Sequence, residues 1–146
     1  DWNLVDEGCI SYGHDIEASW LLLETAQVLG NKYLLDKTLA VTGRIATAAF
    51  EGRCWDGSMI YERFADGRYD NDKHWWVQAE NVIGQIYLYL YHGQKDMLAR
   101  ACRSWDYIQA NLVDPTGEWY WSIKDGFWKC PYHNSRMCLE IIEHLH

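Results

Sequence analysis

A repeat that is faint in single residues and clear in element types constrains this chain most. Glu17 and Glu80, Gly30 and Gly93, and Lys32 and Lys95 are identical pairs at one constant offset of 63 residues. The elements recur with them. Apolar residues spaced three and four apart predict helices near 14–29, 34–50, 76–92, 96–112 and 134–145. Gly30, Gly52 and Gly93 stand where helices end and suit the left-handed C-terminal position. A polar stretch from Cys54 to Lys73 separates the second and third helices, with Asp56-Gly57 and Asp66-Gly67 as turn signals. A second stretch, from Asp114, follows the fourth helix, and its Trp119, Tyr120, Trp121 and Ile123 favour a short strand. Helix, helix and hairpin-like excursion thus occur twice and begin a third time.

Helix pairs that cannot bury both faces alone must stack on their neighbours. The expected fold is therefore all-α, a toroid or solenoid of helix pairs forming one domain over residues 1–146. The chain opens at Asp1 and stops at the end of its fifth helix, which leaves two apolar edges open. We expect it to be the C-terminal portion of a longer protein, or to pair with another chain that covers those edges.

Composition narrows the partners. With 49% hydrophobic residues and only 2 prolines the chain is no disordered tail. A formal net charge of -8, with no basic stripe, argues against nucleic acid, because phosphate binding needs clustered Lys and Arg. No apolar run reaches the roughly 18 residues of a membrane span, and no signal peptide is visible, so neither membrane nor export is expected. The five cysteines, Cys9, Cys54, Cys102, Cys130 and Cys138, are odd in number and include no CxxC pair. Reduced thiols in a cytoplasmic protein account for them better than zinc or a disulfide framework. Trp and Tyr, 9 and 10 against 3 Phe, join an apolar body to a polar tip. Such rings suit a sugar, whose C–H faces stack while its hydroxyls need hydrogen bonds; ordinary helix packing is the alternative for any single ring.

Two histidine motifs carry the candidate chemistry. Gly13-His-Asp-Ile-Glu17 and Trp128-Lys-Cys-Pro-Tyr-His133-Asn-Ser-Arg136 each place a histidine at a helix start with an ionisable residue three positions on. Residues at that spacing share a helix face, so His14 can share a surface with Glu17 and His133 with Arg136. Two side chains that change charge near neutral pH suit proton transfer to and from carbon. A lone helix-terminal histidine is otherwise a cap or a surface residue, and an early glutamate such as Glu17 answers the helix dipole. Glu80 is more telling, because it sits in an apolar helix and a buried carboxylate needs a partner. The other histidines, 74, 92, 144 and 146, show no comparable arrangement.

Four segments, Tyr12-Gly-His-Asp-Ile-Glu-Ala-Ser-Trp-Leu-Leu, Lys73-His-Trp-Trp-Val-Gln-Ala-Glu80, Gly117-Glu-Trp-Tyr-Trp-Ser122 and Trp128 to Ile141, resemble the N-acylglucosamine 2-epimerase superfamily. The wording of His14 to Ser19 and of Trp128 to Asn134 is similar to its cellobiose 2-epimerase branch. The resemblance implies the C-terminal part of an (α/α)6 barrel with its active site in the central cleft. It implies epimerisation at C2 of the reducing end of β-1,4-linked disaccharides, cellobiose to glucosyl-mannose, with no cofactor and no metal. One histidine would remove the C2 proton to give a cis-enediolate and the other would return one to the opposite face. His14 and His133 match those two histidines, and Glu17 and Arg136 match polar residues near the reducing-end oxygens. Trp75, Trp76, Glu80 and Trp128 match groups that hold the sugar. The family's N-terminal helices, which supply an arginine and a further histidine, have no counterpart here, so the chain alone is expected to be inactive. Three alternatives stay open: an N-acylglucosamine 2-epimerase, an inverting glycoside hydrolase using Glu17 and Glu80, and a glycan-binding module without chemistry.

Overall fold

The computed structural model describes residues 8–121 and 130–145. A short strand β1 (Ile10–Ser11) leads into α1 (Tyr12–Leu29), and α2 (Lys32–Ala49) packs beside it and ends in one 3₁₀ turn at Phe50–Gly52. Strands β2 (Glu62–Arg63) and β3 (Tyr69–Asp70) follow, then α3 (Trp75–Tyr91), α4 (Met97–Asn111) and α5 (Tyr132–His144). α1 packs on α2 and α3, and α3 packs on α4 and α5. The first helices of the pairs therefore form one row, α1, α3 and α5, with α2 and α4 behind it. This is the expected all-α arrangement of helix pairs.

α3 is the centre of that row, and it is buried from Trp75 to Leu88. A helix covered all round cannot rely on one apolar stripe, so its polar residues must find partners. Gln78 exchanges hydrogen bonds with the backbone of Met59, accepting from its N at 2.8 Å and donating to its O at 2.8 Å. Asn81 and Ser104 both donate to the Gly57 carbonyl, at 3.1 and 2.7 Å. These bonds staple the excursion after α2 onto α3 and α4. Close backbone approach does the rest: a Cβ at Gly84 would collide with Ile16 of α1, and one at Gly13 with Trp76.

Gly30 and Gly93 adopt the left-handed conformation expected of them, with φ of 64° and 67°. Gly52 does not. It closes the 3₁₀ turn beneath the ring of Tyr12, where a Cβ has no room, so it is a glycine for proximity and not for dihedral freedom. α1, α2 and α5 begin two residues before the apolar spacing does. For α2 the reason is visible: the Asn31 side chain accepts from Leu34 N at 3.2 Å and caps the first turn.

The first excursion forms an antiparallel sheet in the order β1-β2-β3, pairing Ile10 with Arg63 and Glu62 with Asp70. Gly57 and Gly67 turn with positive φ, as their Asp-Gly pairs predict. In the second excursion the pairing among the described residues is a single bridge between Val113 and Trp119. Tyr120 N donates to Leu112 O at 2.6 Å and Asp114 N to Glu118 O at 2.8 Å, the two bonds of that bridge, and beyond it the Trp121 carbonyl accepts instead from Trp75 N at the start of α3, at 2.7 Å. Ile123 lies outside the described residues. All five cysteines are free, and among the described residues no helix is long and apolar enough to cross a membrane.

Both flanks carry apolar surface. Val28, Leu29, Tyr33 and Val41 are exposed on the α1–α2 side, and Leu139, Ile142 and Leu145 on the α5 side. An apolar cleft of about 410 Å³ lies between α3, α4 and α5, lined among others by Ile86, Trp105, Met137 and Ile141.

Candidate functional site

The starts of α1, α3 and α5 meet at one end, and they bring His14, Trp76 and His133 together there. The Trp76 ring lies 4.8 Å from that of His14 and 5.4 Å from that of His133. Both histidines therefore pack on one indole. They line a cleft of about 260 Å³ together with Glu17, Tyr61, His74, Trp75, Trp76, Trp121 and Cys130.

Behind the cleft is an ionic hub. Glu80 is the sixth residue of α3 and Glu17 the sixth of α1, so the repeat puts them at equivalent places on adjacent helices. One nitrogen of Arg136 on α5, Nη2, donates to both carboxylates at 2.6 Å. Glu80 Oε2 also accepts from Trp20 Nε1 at 2.8 Å. Its Oε1 lies 2.7 Å from His133 Nδ1. A carboxylate oxygen accepts, so this contact assigns the proton to Nδ1 and leaves His133 Nε2 as the lone-pair nitrogen for a substrate. His14 is held similarly, with Nδ1 at 2.8 Å from Ser11 Oγ. The Arg136 guanidinium stacks on the rings of Trp20 and Tyr132, at 4.8 and 4.5 Å. Burial works to lower its pKa, but hydrogen bonds to Glu17 and Glu80 outweigh that and raise it, so the group stays charged.

Ligand atoms of Glu17, Glu80 and His133 lie within 4.8 Å of one another, a spacing that could hold a metal ion. The cation there is Arg136, whose Nη2 sits at 2.6 Å from both carboxylates and 3.4 Å from His133 Nδ1. The same bridge disfavours an inverting hydrolase. That chemistry sets its carboxyl groups ~6.5–9.5 Å apart around a water, whereas Glu17 and Glu80 share one guanidinium.

The geometry adds partners that helical spacing did not supply. His14 and Glu17 share the cleft, but their hydrogen bonds run to Ser11 and Arg136 and not to each other. His133 is oriented chiefly by Glu80 across the helix row, and Arg136 is the more distant neighbour. Glu80 is wholly buried, with its oxygens engaged by Trp20, His133 and Arg136. Arg136 likewise lies behind the cleft lining. Trp75 and Trp76 do line it, and Trp128 lies outside the described residues.

Spacing gave no sign of His74, Tyr61 or Trp121. The His74 ring packs 4.2 Å from Tyr61 and 5.4 Å from Trp121, and burial lowers its pKa against the opposing pull of Asp72. Its place directly before Trp75 was the available signal, because a helix-start residue in this row faces the shared mouth.

Residues 3–127 match the sequence model of N-acylglucosamine 2-epimerase (GlcNAc 2-epimerase). The chain belongs to this family. It is 48% identical to a cellobiose 2-epimerase of Bacteroides fragilis over 91% of its own length and 37% of that protein. Among solved structures, a sugar epimerase from a ruminal bacterium is 36% identical with a TM-score of 0.85, covering 97% of this chain and 39% of that one. The cellobiose 2-epimerase of Spirochaeta thermophila is also 36% identical, with a TM-score of 0.75, over 98% and 39%. The chain thus spans well under half the length of these relatives, and its helix pairs correspond to part of their helical barrel.

Proposed function

We propose that this epimerase-family chain supplies the acid/base machinery of a sugar 2-epimerase acting on the reducing end of a β-1,4-linked disaccharide such as cellobiose. The observation that carries the reading is the pair of histidines, His14 and His133, on one indole and facing one cleft, each with Nδ1 engaged and Nε2 available. In the open-chain sugar one imidazole removes the proton from C2. The C–H electron pair becomes the C1–C2 double bond, and the carbonyl electrons move to O1, giving a cis-enediolate. The second histidine, as its imidazolium, then delivers its Nε2 proton to the other face of C2 as the carbonyl reforms, and the two rings exchange protons with water to reset. Nothing is gained or lost overall, so no redox partner or nucleotide enters the balance.

Glu17 lines the cleft and is held by Arg136, which suits it to the reducing-end hydroxyls. Trp75 and Trp76 give the sugar its apolar wall, and Trp128 is assigned to the same task by its motif. The reading belongs to the whole enzyme, in which the remainder of the barrel completes the cleft, and the natural setting is the cytoplasm.

Isotope exchange tests it. In heavy water the complete enzyme should form epimer carrying deuterium at C2, with some deuterium in recovered substrate. His14→Ala and His133→Ala should each lower the rate by about 10²–10⁴. Product that keeps its original C2 hydrogen would overturn the enediolate route, and sugar binding without any exchange would leave a glycan-binding module as the answer.

A further inference from the structure

A second polar cleft, of about 360 Å³ and sharing no lining residue with the first, lies along α4. Its lining is Arg53, Asp96, Ala99, Arg100 and Arg103. Asp96, the N-cap of α4, and Ala99, Arg100 and Arg103 within it fall at helical spacing on one face, and Arg53 is presented from the loop after the 3₁₀ turn. We propose that this cleft binds a small, multiply charged oxyanion of the phosphate class.

Charge is the first reason. The chain carries a net charge of -8, yet here three guanidiniums face one carboxylate. That carboxylate is already engaged, because Asp96 accepts from Arg100 Nε at 2.9 Å. Among the described residues no carboxylate pairs with Arg53 or Arg103.

The second reason is an orphan donor. Arg53 Nε is buried and has no hydrogen-bond partner, so this guanidinium is left under-satisfied where the residue lines the cleft. Burial, and then the charges of Arg100 and Arg103, lower the Arg53 pKa, so its neighbours repel a positive charge at that point.

The third reason is that the cradle is fixed before any ligand arrives. The Arg103 carbonyl packs so closely on Gly57 that a Cβ there would meet it at 2.8 Å. Ser104 and Asn81 donate to the Gly57 carbonyl from α4 and α3. The loop that carries Arg53 is thereby pinned against α4, and Ala99 leaves space between the guanidiniums. A phosphate can accept forked bonds from two arginines at once, which a monovalent halide cannot.

The intact protein is titrated with inorganic phosphate and, separately, with glucose 6-phosphate, at constant ionic strength set by sodium chloride. Calorimetry and the thermal midpoint are both read. Saturable binding and a raised midpoint are expected. Arg53→Gln and Arg103→Gln should each weaken phosphate binding about tenfold, the equivalent of ~1.4 kcal/mol, whereas Arg44→Gln on α2 should change nothing. Far-UV circular dichroism checks that each variant is folded. Should a glutamine variant unfold, Arg53→Lys keeps the charge but loses the fork, and an intermediate affinity is expected. Equal affinity for the two ligands identifies free phosphate as the ligand, and tighter glucose 6-phosphate binding identifies a sugar phosphate; either supports the proposal. No saturable binding above the chloride control, or binding undiminished in Arg53→Gln and Arg103→Gln, overturns it.

Discussion

Glu80 has no water to fall back on, which makes it the most consequential single side chain. It fixes the tautomer of His133 and half-neutralises Arg136. In Glu80→Gln the carboxylate that orients the imidazole is gone, and the exchange rate should fall by about 10²–10⁴ with the fold retained, as judged by circular dichroism. Glu80→Ala leaves Arg136 with only Glu17 and should cost ~3–5 kcal/mol in urea unfolding, the usual penalty for breaking a buried ion pair. Trp20→Phe removes one donor to that carboxylate and should cost ~1.5–3 kcal/mol. The need for a partner at Glu80 was legible in the sequence, because a carboxylate in an apolar helix demands one. The partners themselves were not legible. Trp20 and Arg136 stand 60 and 56 residues away on other helices, and local spacing cannot report on such distances.

At the scale of the element, helix approach and helix ends decide stability. Gly84 has Ile16 where its side chain would be, so Gly84→Ala should destabilise by ~1–3 kcal/mol through overpacking. Histidines at both ends of α3 give its packing a pH dependence. Burial lowers the pKa of His74 and of His92, so the folded state prefers the neutral ring while the unfolded chain titrates near 6.5. Stability is therefore full above pH 6.5 and falls as the pH drops below it. Urea midpoints measured from neutral to acidic pH should show this loss, and His92→Gln, which keeps a polar group toward Thr42, should flatten it. Helix number and order were legible because the apolar spacing is regular over whole helices. Gly52 was misread because a helix-end glycine looks the same whether its dihedral or a neighbouring ring requires it. The second strand was over-read from its aromatic residues, since among the described residues its pairing is confined to Val113 and Trp119 just after α4.

At the scale of the whole molecule, the repeat made the architecture readable. An identical offset in glutamate, glycine and lysine becomes equivalent positions on α1 and α3, and from there a shared ligand for both glutamates. The exposed flanks should make the 146-residue chain, studied by itself, bind a hydrophobic dye and self-associate in sedimentation, since monomers rarely tolerate such patches. A dye-silent, well-behaved monomer would count against that expectation.

The single nitrogen of Arg136 that joins Glu17 to Glu80 also sets an order of events during folding. Its two bonds close 119 and 56 residues of intervening chain, and α5, which carries it, follows α1 and α3 in chain order and is made after both. Until then α1 and α3 can dock only with two acidic groups side by side and no cation between them. Non-local contacts of this kind form late and slowly. The hub therefore acts as a closing step: α1 and α3 reach their final seating only when α5 arrives, and the histidine that α5 also carries is set in place by the same event. Refolding followed at Trp20 should accordingly keep pace with recovery of the site and lag behind the gain of helix.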